Sequence, residues 1–89
     1  MSSFYDKITT QDAEHVQGLT RLALELRDNR TKLLKHYEAE DEPALLQKIV
    51  TGEVAEHPAY EHYLSARLLA QTRESIREDL KNYLRETTK

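Results

Sequence analysis

Residues 10–37 read TQDAEHVQGLTRLALELRDNRTKLLKHY, and this stretch decides the fold. Apolar side chains recur in it every three or four residues, on two neighbouring tracks. The first track holds Leu19, Leu26 and Leu33, and the second holds Val16, Ala23 and Tyr37, with Arg30 as its one polar member. Spacings of three and four place side chains on one stripe of an α-helix. The stretch therefore predicts a long helix with one apolar face, from about Thr10 to about Tyr37.

Three further leucines of this predicted helix, Leu22, Leu24 and Leu34, lie off the stripe. They widen the apolar face beyond the narrow seam of a two-stranded coiled coil. Before the helix, Thr9 is followed three residues later by Asp12, which is the spacing of a capping box. The helix therefore has a defined start and more leucines than one neighbouring helix can cover.

Residues 1–8 precede this start and contain three large apolar side chains besides Met1: Phe4, Tyr5 and Ile8. They could pack on a neighbouring helix, or they could fray as chain termini commonly do. The sequence leaves both readings open.

An acidic segment, residues 38–57, follows the first helix, and we name it the elbow. It holds six acids and one base, a net charge of −5, whereas the whole chain carries −3. Acids oppose the negative end of a helix dipole, so we expect the last turn of the first helix to fray. Pro43 suits the start of a helix and Gly52 suits the end of one, which predicts a short helix over about 43–51. Its inward-facing residues should be Leu45, Leu46, Ile49 and Val50.

Pro58 starts the third predicted helix, which runs to about Glu86 without a glycine or another proline. Two long helices joined by the elbow form an antiparallel helical hairpin. The chain has only two glycines and two prolines, too few for the many turns of an all-β fold. The sequence thus predicts one all-α domain over residues 1–89, with a short helix in the connection.

A hairpin of two long helices buries only the stripe between them, and the short middle helix covers only part of its length. Each large apolar side chain left in water forgoes about 1.5–3 kcal/mol, while a small domain is stable by only about 5–15 kcal/mol. We therefore expect two copies to pair as a four-helix bundle, the alternative being a compact three-helix monomer. The side chains that lack cover within one chain are Leu22, Leu24, Leu34, Leu69, Tyr83 and Leu84.

Tyr60 and Tyr63 open the third helix beside the elbow, with Leu64 and Leu68 on the same side. Tyrosine is favoured at protein interfaces because it is large and amphipathic. This patch could therefore receive a helix of another protein. It could instead pack inside the molecule, against the short middle helix.

The composition excludes several chemistries. The chain has no cysteine, so disulfides, zinc ribbons, iron–sulfur clusters and thiol catalysis are ruled out. It also lacks a Gly-rich phosphate loop, a Gly-x-Ser-x-Gly nucleophile motif and a His-Glu-x-x-His zinc motif. No apolar run approaches the ~20 residues that span a bilayer, and the start does not have the pattern of a secretory signal. We expect a cytoplasmic protein that is not an enzyme and needs no cofactor.

The four histidines do not follow a metal-binding pattern, because no two of them are spaced to share one helical face. His36 and His57 could approach each other at the acidic elbow, which would give at best an adventitious site for a divalent cation. His15 should lie near the far end of the third helix in an antiparallel hairpin. No functional metal site is expected.

A row of basic residues follows the third helix at a spacing of four: Arg73, Arg77, Lys81 and Arg85. Such a row could track a phosphate backbone. Three acids flank it, namely Glu74, Glu78 and Asp79, and pairing within the helix would cancel much of its field. The leading hypothesis is therefore a non-enzymatic protein–protein interaction module that self-associates. The alternative is a small nucleic-acid-associated regulator that uses this row.

Leu26 lies near the middle of the apolar stripe, which makes it the position where the helix register is best tested. The substitution Leu26→Asp should unfold the protein or break its assembly, because it places a carboxylate in the apolar seam. Circular dichroism and light scattering measure the two effects. A variant that stays folded at unchanged mass would show that the register of the first helix is wrong.

Overall fold

The computed structural model describes residues 9–87 and shows an all-α hairpin, as predicted. Its elements are α1 (Thr10–His36), α2 (Glu42–Val50) and α3 (Glu56–Thr87), with no strand in the described part. The long helices α1 and α3 pack side by side in opposite directions, and the short α2 packs on α3. The molecule measures 60 × 17 × 17 Å. Its radius of gyration is 18.0 Å, against about 12 Å for a compact domain of this length, so it is a rod.

The start of α1 is the predicted capping box. The Asp12 backbone N–H donates to the Thr9 hydroxyl at 3.0 Å, and the Thr9 backbone N–H donates to the Asp12 carboxylate at 3.1 Å. At the start of α2, the Asp41 carboxylate accepts from the Ala44 N–H at 2.9 Å, and Pro43 occupies the first turn. These side chains satisfy backbone donors that have no partner within the helix. Residues 1–8, including Phe4, Tyr5 and Ile8, lie outside the described residues.

The end of α1 differs from the expected frayed turn. The Ala39 N–H donates to the Leu34 carbonyl at 3.0 Å and the Glu38 N–H to the Lys35 carbonyl at 2.9 Å, which is the Schellman pattern. Glu38 supplies the left-handed residue that this pattern needs, with φ of 55°. The acids therefore did not prevent a regular helix end, because two backbone hydrogen bonds and the burial of Leu34 and Ala39 close the turn.

The short helix α2 ends in the same way, here with glycine in the left-handed position. Gly52 has φ of 77°, and the Glu53 N–H donates to the Lys48 carbonyl at 2.9 Å. The Lys48 ammonium and the Glu53 carboxylate lie 3.1 Å apart across this turn. At His57 the backbone is not helical, so the regular part of α3 begins at Pro58, as the sequence predicted; the peptide bond between these two residues is cis.

The core of the molecule lies at the elbow end of the rod. It consists of four buried side chains, Leu34, Ala39, Leu45 and Ala66, which we name the elbow core. Leu45 is 0 % exposed and is the one large side chain among the described residues that is completely buried. The expectation that Leu34 lacks cover was wrong, since it is 2 % exposed. The elbow turns back over the end of α1 and supplies Ala39 and Leu45 as its neighbours.

Arg30 interrupts the apolar track of α1 for a reason that the structure reveals. Its guanidinium forms a two-point ion pair with the Glu42 carboxylate, with Nε 2.7 Å from Oε2 and Nη2 in contact with Oε1. The pair is partly buried and joins α1 to the start of α2. The hydrogen bonds lower the pKa of Glu42 and raise the pKa of Arg30. A bidentate pair of this kind fixes orientation as well as distance.

Away from the elbow the described part of the chain has only two helices, residues 10–30 of α1 and 69–87 of α3, which we name the arm. Among its described residues only Ala23 and Ile76 are buried, each at 8 % exposure. The other apolar side chains of its seam are only partly buried: Val16, Leu19, Leu26, Leu69, Leu80 and Leu84. None of the described helices is both long and apolar enough to cross a membrane.

The left-handed residue at the end of α1 yields a direct test of the Schellman pattern. Glu38→Gly should raise the free energy of unfolding by about 1 kcal/mol relative to Glu38→Ala, since both remove the same carboxylate and only glycine adopts positive φ without strain. Urea denaturation measures the difference. If the two variants were equally stable, the left-handed turn at Glu38 would not be the end of α1 in solution.

Candidate interaction surfaces

The predicted partner surface separates into exposed and seam residues. Leu22 and Leu24 are 42 % and 43 % exposed, on opposite sides of the buried Ala23. Leu69, Tyr83 and Leu84 are instead partly buried in the seam between α1 and α3. The seam residues of α3 are spaced three and four apart, which keeps them on the side of the helix that meets α1. Leu69, Tyr83 and Leu84 are partly buried for this reason. Of the six residues expected to lack cover, Leu22 and Leu24 are thus the exposed pair.

A second apolar surface lies on the first half of α3, which we name the apolar row: Tyr60, Leu64 and Leu68. Their exposed fractions are 39 %, 44 % and 63 %. Residues four apart on a helix are neighbours, so the three side chains follow one another along about 12 Å of the surface. The row forms part of the patch that the sequence indicated as a candidate site for a partner helix.

The two tyrosines of the predicted patch have different surroundings. Tyr63 is partly buried and packs against the elbow core, as the alternative interpretation held. Tyr60 stacks on it, with ring centroids 6.0 Å apart, and stays exposed. The guanidinium carbon of Arg67 lies 5.8 Å from the centre of the Tyr63 ring. Tyr63 therefore anchors the elbow, while Tyr60 extends the aromatic surface outward.

Charge is distributed unevenly along α3. Residues 62–72 contain one charged side chain, Arg67, whereas residues 73–86 contain eight. The four helical neighbours of Leu68 are all uncharged: Leu64, Ser65, Gln71 and Thr72. Depletion of charge at the centre of a surface patch is typical of protein interfaces. The apolar row thus lies in the part of α3 that most resembles an interface.

Val50 was expected to face inward, and the structure contradicts this. It is 74 % exposed, whereas Leu45, Leu46 and Ile49 of the same helix are buried or partly buried. Val50 is the last residue of α2. Val50 therefore lies one position beyond the inward-facing residues, where the chain leaves the helix.

The histidines are paired differently from the sequence expectation. His57 bonds to Glu61 at 2.7 Å and does not join His36. His36 instead lies edge-on to Tyr37, at 4.9 Å between ring centroids, and Tyr37 shares a hydrogen bond with Nδ1 of His62. His36 and His62 line a groove of about 370 Å³ that is open to solvent. The described residues contain no group of three side chains suited to hold a metal ion.

The far end of the arm is joined by a hydrogen bond between its two helices. The Tyr83 hydroxyl of α3 donates to the Asp12 carboxylate of α1, and the His15 ring lies 4.6 Å from the Tyr83 ring. The predicted position of His15 is thus confirmed. This hydrogen bond, with that from the Thr9 backbone, lowers the pKa of Asp12, and it raises the pKa of Tyr83. Sequence reasoning assigned Asp12 to the cap and noted its spacing of three from His15, but nothing in the spacing indicates its partner on the other helix.

The basic row of α3 is not a uniform surface. Arg73 is partly buried, and its Nε atom is buried without a hydrogen-bond partner. Arg77, Lys81 and Arg85 are exposed. Exposed acids alternate with them, namely Glu74, Glu78 and Asp79. A nucleic-acid surface needs a net basic face, which this mixture does not supply.

The fold and its surfaces define a small helical-hairpin protein with a core at one end, a thin two-helix arm and two exposed apolar patches. The chain belongs to the uncharacterized protein MJ0235 family, whose sequence pattern matches residues 6–89. No curated protein and no solved structure matches it.

The hydrogen bond at the far end of the arm predicts a measurable shift. In Tyr83→Phe the pKa of Asp12 should rise toward its ordinary value of 3.8, because the main donor that stabilises the carboxylate is lost. Carbon-13 NMR titration of the carboxyl group measures the shift. Tyr60→Phe, which removes an exposed hydroxyl at the other end of the molecule, is the control and should leave the titration unchanged.

The same pair sets a pH window for stability. A carboxyl with a lowered pKa stabilises the fold above its unfolded pKa and loses this effect as the pH falls through its folded pKa. A phenol with a raised pKa stabilises the fold below about pH 10 and loses the effect as the pH rises through its folded pKa. The difference in unfolding temperature between the natural protein and Tyr83→Phe should therefore be largest near neutral pH. A difference independent of pH would contradict the hydrogen bond.

Proposed function

We propose that this protein is a non-enzymatic protein–protein interaction module that self-associates through its arm into a four-helix bundle. One observation carries the proposal: the arm buries only Ala23 and Ile76 among its described residues. Its remaining seam leucines are only partly buried, and Leu22 and Leu24 extend into solvent. Pairing two hairpins side by side is the standard way for such helices to bury the rest of their apolar face.

The free energy available from this pairing is large on the scale of a small domain. Complete burial of a leucine side chain is worth about 1.5–3 kcal/mol. Leu22 and Leu24 lie on opposite sides of Ala23, so one of them, together with the exposed parts of the seam residues on the same side, can contribute such terms twice in a symmetric dimer. The arm of a monomer lacks this free energy of burial, which favours the dimer over the monomer.

Charge favours one direction of pairing. The arm holds eight acids and seven bases, so it is close to neutral, whereas the elbow carries −5. Parallel pairing would place the two elbows side by side, and like charges within about 8 Å repel without effective screening at physiological salt. Antiparallel pairing places the elbows at opposite ends of the assembly. The proposal is therefore an antiparallel homodimer.

The proposal also concerns partners and location. It does not include nucleic acid, because Arg73 lies partly in the seam and exposed acids alternate with the remaining basic residues. It places the protein in the cytoplasm, in keeping with a chain that has no cysteine and no helix among its described residues that could span a membrane.

Two substitutions test the arm. The natural protein should have about twice the mass of the 10.4 kDa chain by light scattering, and the double variant Leu22→Lys, Leu24→Lys should have the mass of one chain. The control is Gln47→Lys, Thr51→Lys, which adds the same charges at exposed positions outside the arm and removes no leucine. It should keep the mass of the natural protein. A monomeric natural protein at millimolar concentration would contradict self-association, and an unchanged mass of the leucine variant would contradict the arm as the interface.

The direction of pairing has its own measurement. Because the chain has no cysteine, Thr51→Cys supplies a unique exposed position on the elbow for a spin label. Antiparallel pairing through arms of about 30 Å should separate the two labels by more than about 50 Å. A pulsed electron–electron distance below about 30 Å would show that the elbows lie together, as in a parallel dimer.

A further inference from the structure

The apolar row is an exposed surface that self-association through the arm does not use. It begins at Tyr60, beside the elbow, and ends at Leu68, just before the arm starts at residue 69. Leu64 and Leu68 are more exposed than either leucine of the arm surface, at 44 % and 63 %. Neither α1 nor α2 covers them in the hairpin. A row of three large side chains in water is the kind of surface that another molecule covers.

The surroundings of the row differ at its two ends. At the arm end, Ser65, Gln71 and Thr72 surround Leu68 with uncharged polar groups. At the elbow end, Glu61 follows Tyr60 in α3, and the elbow, which ends at residue 57, carries its net charge of −5. A hydrogen bond from His57 lowers the pKa of Glu61, so this carboxylate remains ionised at neutral pH. Arg67 is the one charged side chain of residues 62–72, and its guanidinium lies by the Tyr63 ring. The row is therefore a mainly apolar strip that borders an anionic region at the elbow end.

We propose that the apolar row docks an amphipathic helix of a partner protein that carries lysine or arginine beside its apolar stripe. The apolar stripe of such a helix, with side chains at i, i+4 and i+8, matches the 12 Å length and the spacing of the row. Its cationic residues would lie against the acids at the elbow end. This inference rests on the proposed function. When two copies are paired through their arms, the apolar row is the surface left for a partner protein, and the inference gives the chemistry of that partner.

A second copy of the chain fits the row less well than a basic helix does. Two rows laid antiparallel and centred on Leu64 would bring the two Tyr60 side chains to about 12 Å from each other. The two elbows, each at −5, would then lie close together. The row also ends where the arm begins, so a dimer formed through the arms leaves it accessible at both ends of the assembly.

Fluorescence anisotropy with a labelled model helix tests the proposal on the full chain. The probe is an 18-residue peptide with leucine along one helical face, at alternating spacings of three and four residues, and lysine at all other positions. Its counterpart carries glutamate in place of lysine. The lysine peptide should bind and the glutamate peptide should not. In the double variant Leu64→Lys, Leu68→Lys the affinity should fall about a hundredfold, because each lost apolar anchor is worth about tenfold or more.

Ser75→Lys is the control for added charge, since it lies seven residues beyond Leu68 on the same side of α3 and adds one of the two positive charges of the leucine variant without removing an apolar anchor. It should reduce binding by less than about threefold, because its charge is distant from the row and screened by salt. Glu56→Gln, Glu61→Gln should weaken binding at low salt, and the difference should vanish at high salt. Amide NMR shifts on adding the peptide should concentrate in residues 60–72. Circular dichroism confirms that each variant remains helical.

Three outcomes would overturn the proposal: equal binding of the two peptides, equal loss of binding in Ser75→Lys and in the leucine variant, or a halved mass of Leu64→Lys, Leu68→Lys. The last result would show that the row joins copies of the chain. A failure of peptide binding with the dimer intact contradicts only the row. A monomeric natural protein that still binds the peptide through residues 60–72 contradicts only the arm.

Discussion

Two helices packed side by side can shield only one stripe of each other, and this limit governs the whole molecule. A third helix relieves it, but α2 has only nine residues and covers only the elbow end. There Leu34, Ala39, Leu45 and Ala66 form a core, and Leu45 is completely buried. In the arm the described residues include no third element, so the seam residues keep part of their surface in water. The asymmetry along the rod follows directly from the length of α2.

The elbow has a structural role that its charge alone does not suggest. Asp41 caps α2, Glu42 holds Arg30, and Glu53 pairs with Lys48, so half of its six acids act within the fold. The others, at positions 38, 40 and 56, are exposed. The acids that cap α2 and form these ion pairs thus also give this end of the rod its negative charge, while the arm is close to neutral. The same residues that build the elbow therefore make it unsuitable for close contact with another elbow.

The sequence predicted the parts of this structure that depend on local pattern. The seven-residue repeat, the spacing of Thr9 and Asp12, and the positions of Pro43 and Pro58 gave three helices in a hairpin, with ends within two residues of those observed. What it did not predict depends on the path of the elbow. Glu38 adopts a left-handed conformation that no glycine signals, and this turn brings Ala39 and α2 over Leu34. For the same reason the surface was predicted only in part: Leu22, Leu24 and Tyr60 are exposed, whereas Leu34 is covered.

The helix α3 combines two chemically different halves. Residues 62–72 have a single charged residue in eleven positions and include Leu64 and Leu68 of the exposed apolar row, while the second half alternates acids and bases around a seam. Because the two halves lie end to end, contacts made by one need not exclude contacts made by the other. In the proposed antiparallel dimer the two apolar rows would lie toward opposite ends, so the assembly would hold two partner helices apart at a fixed distance.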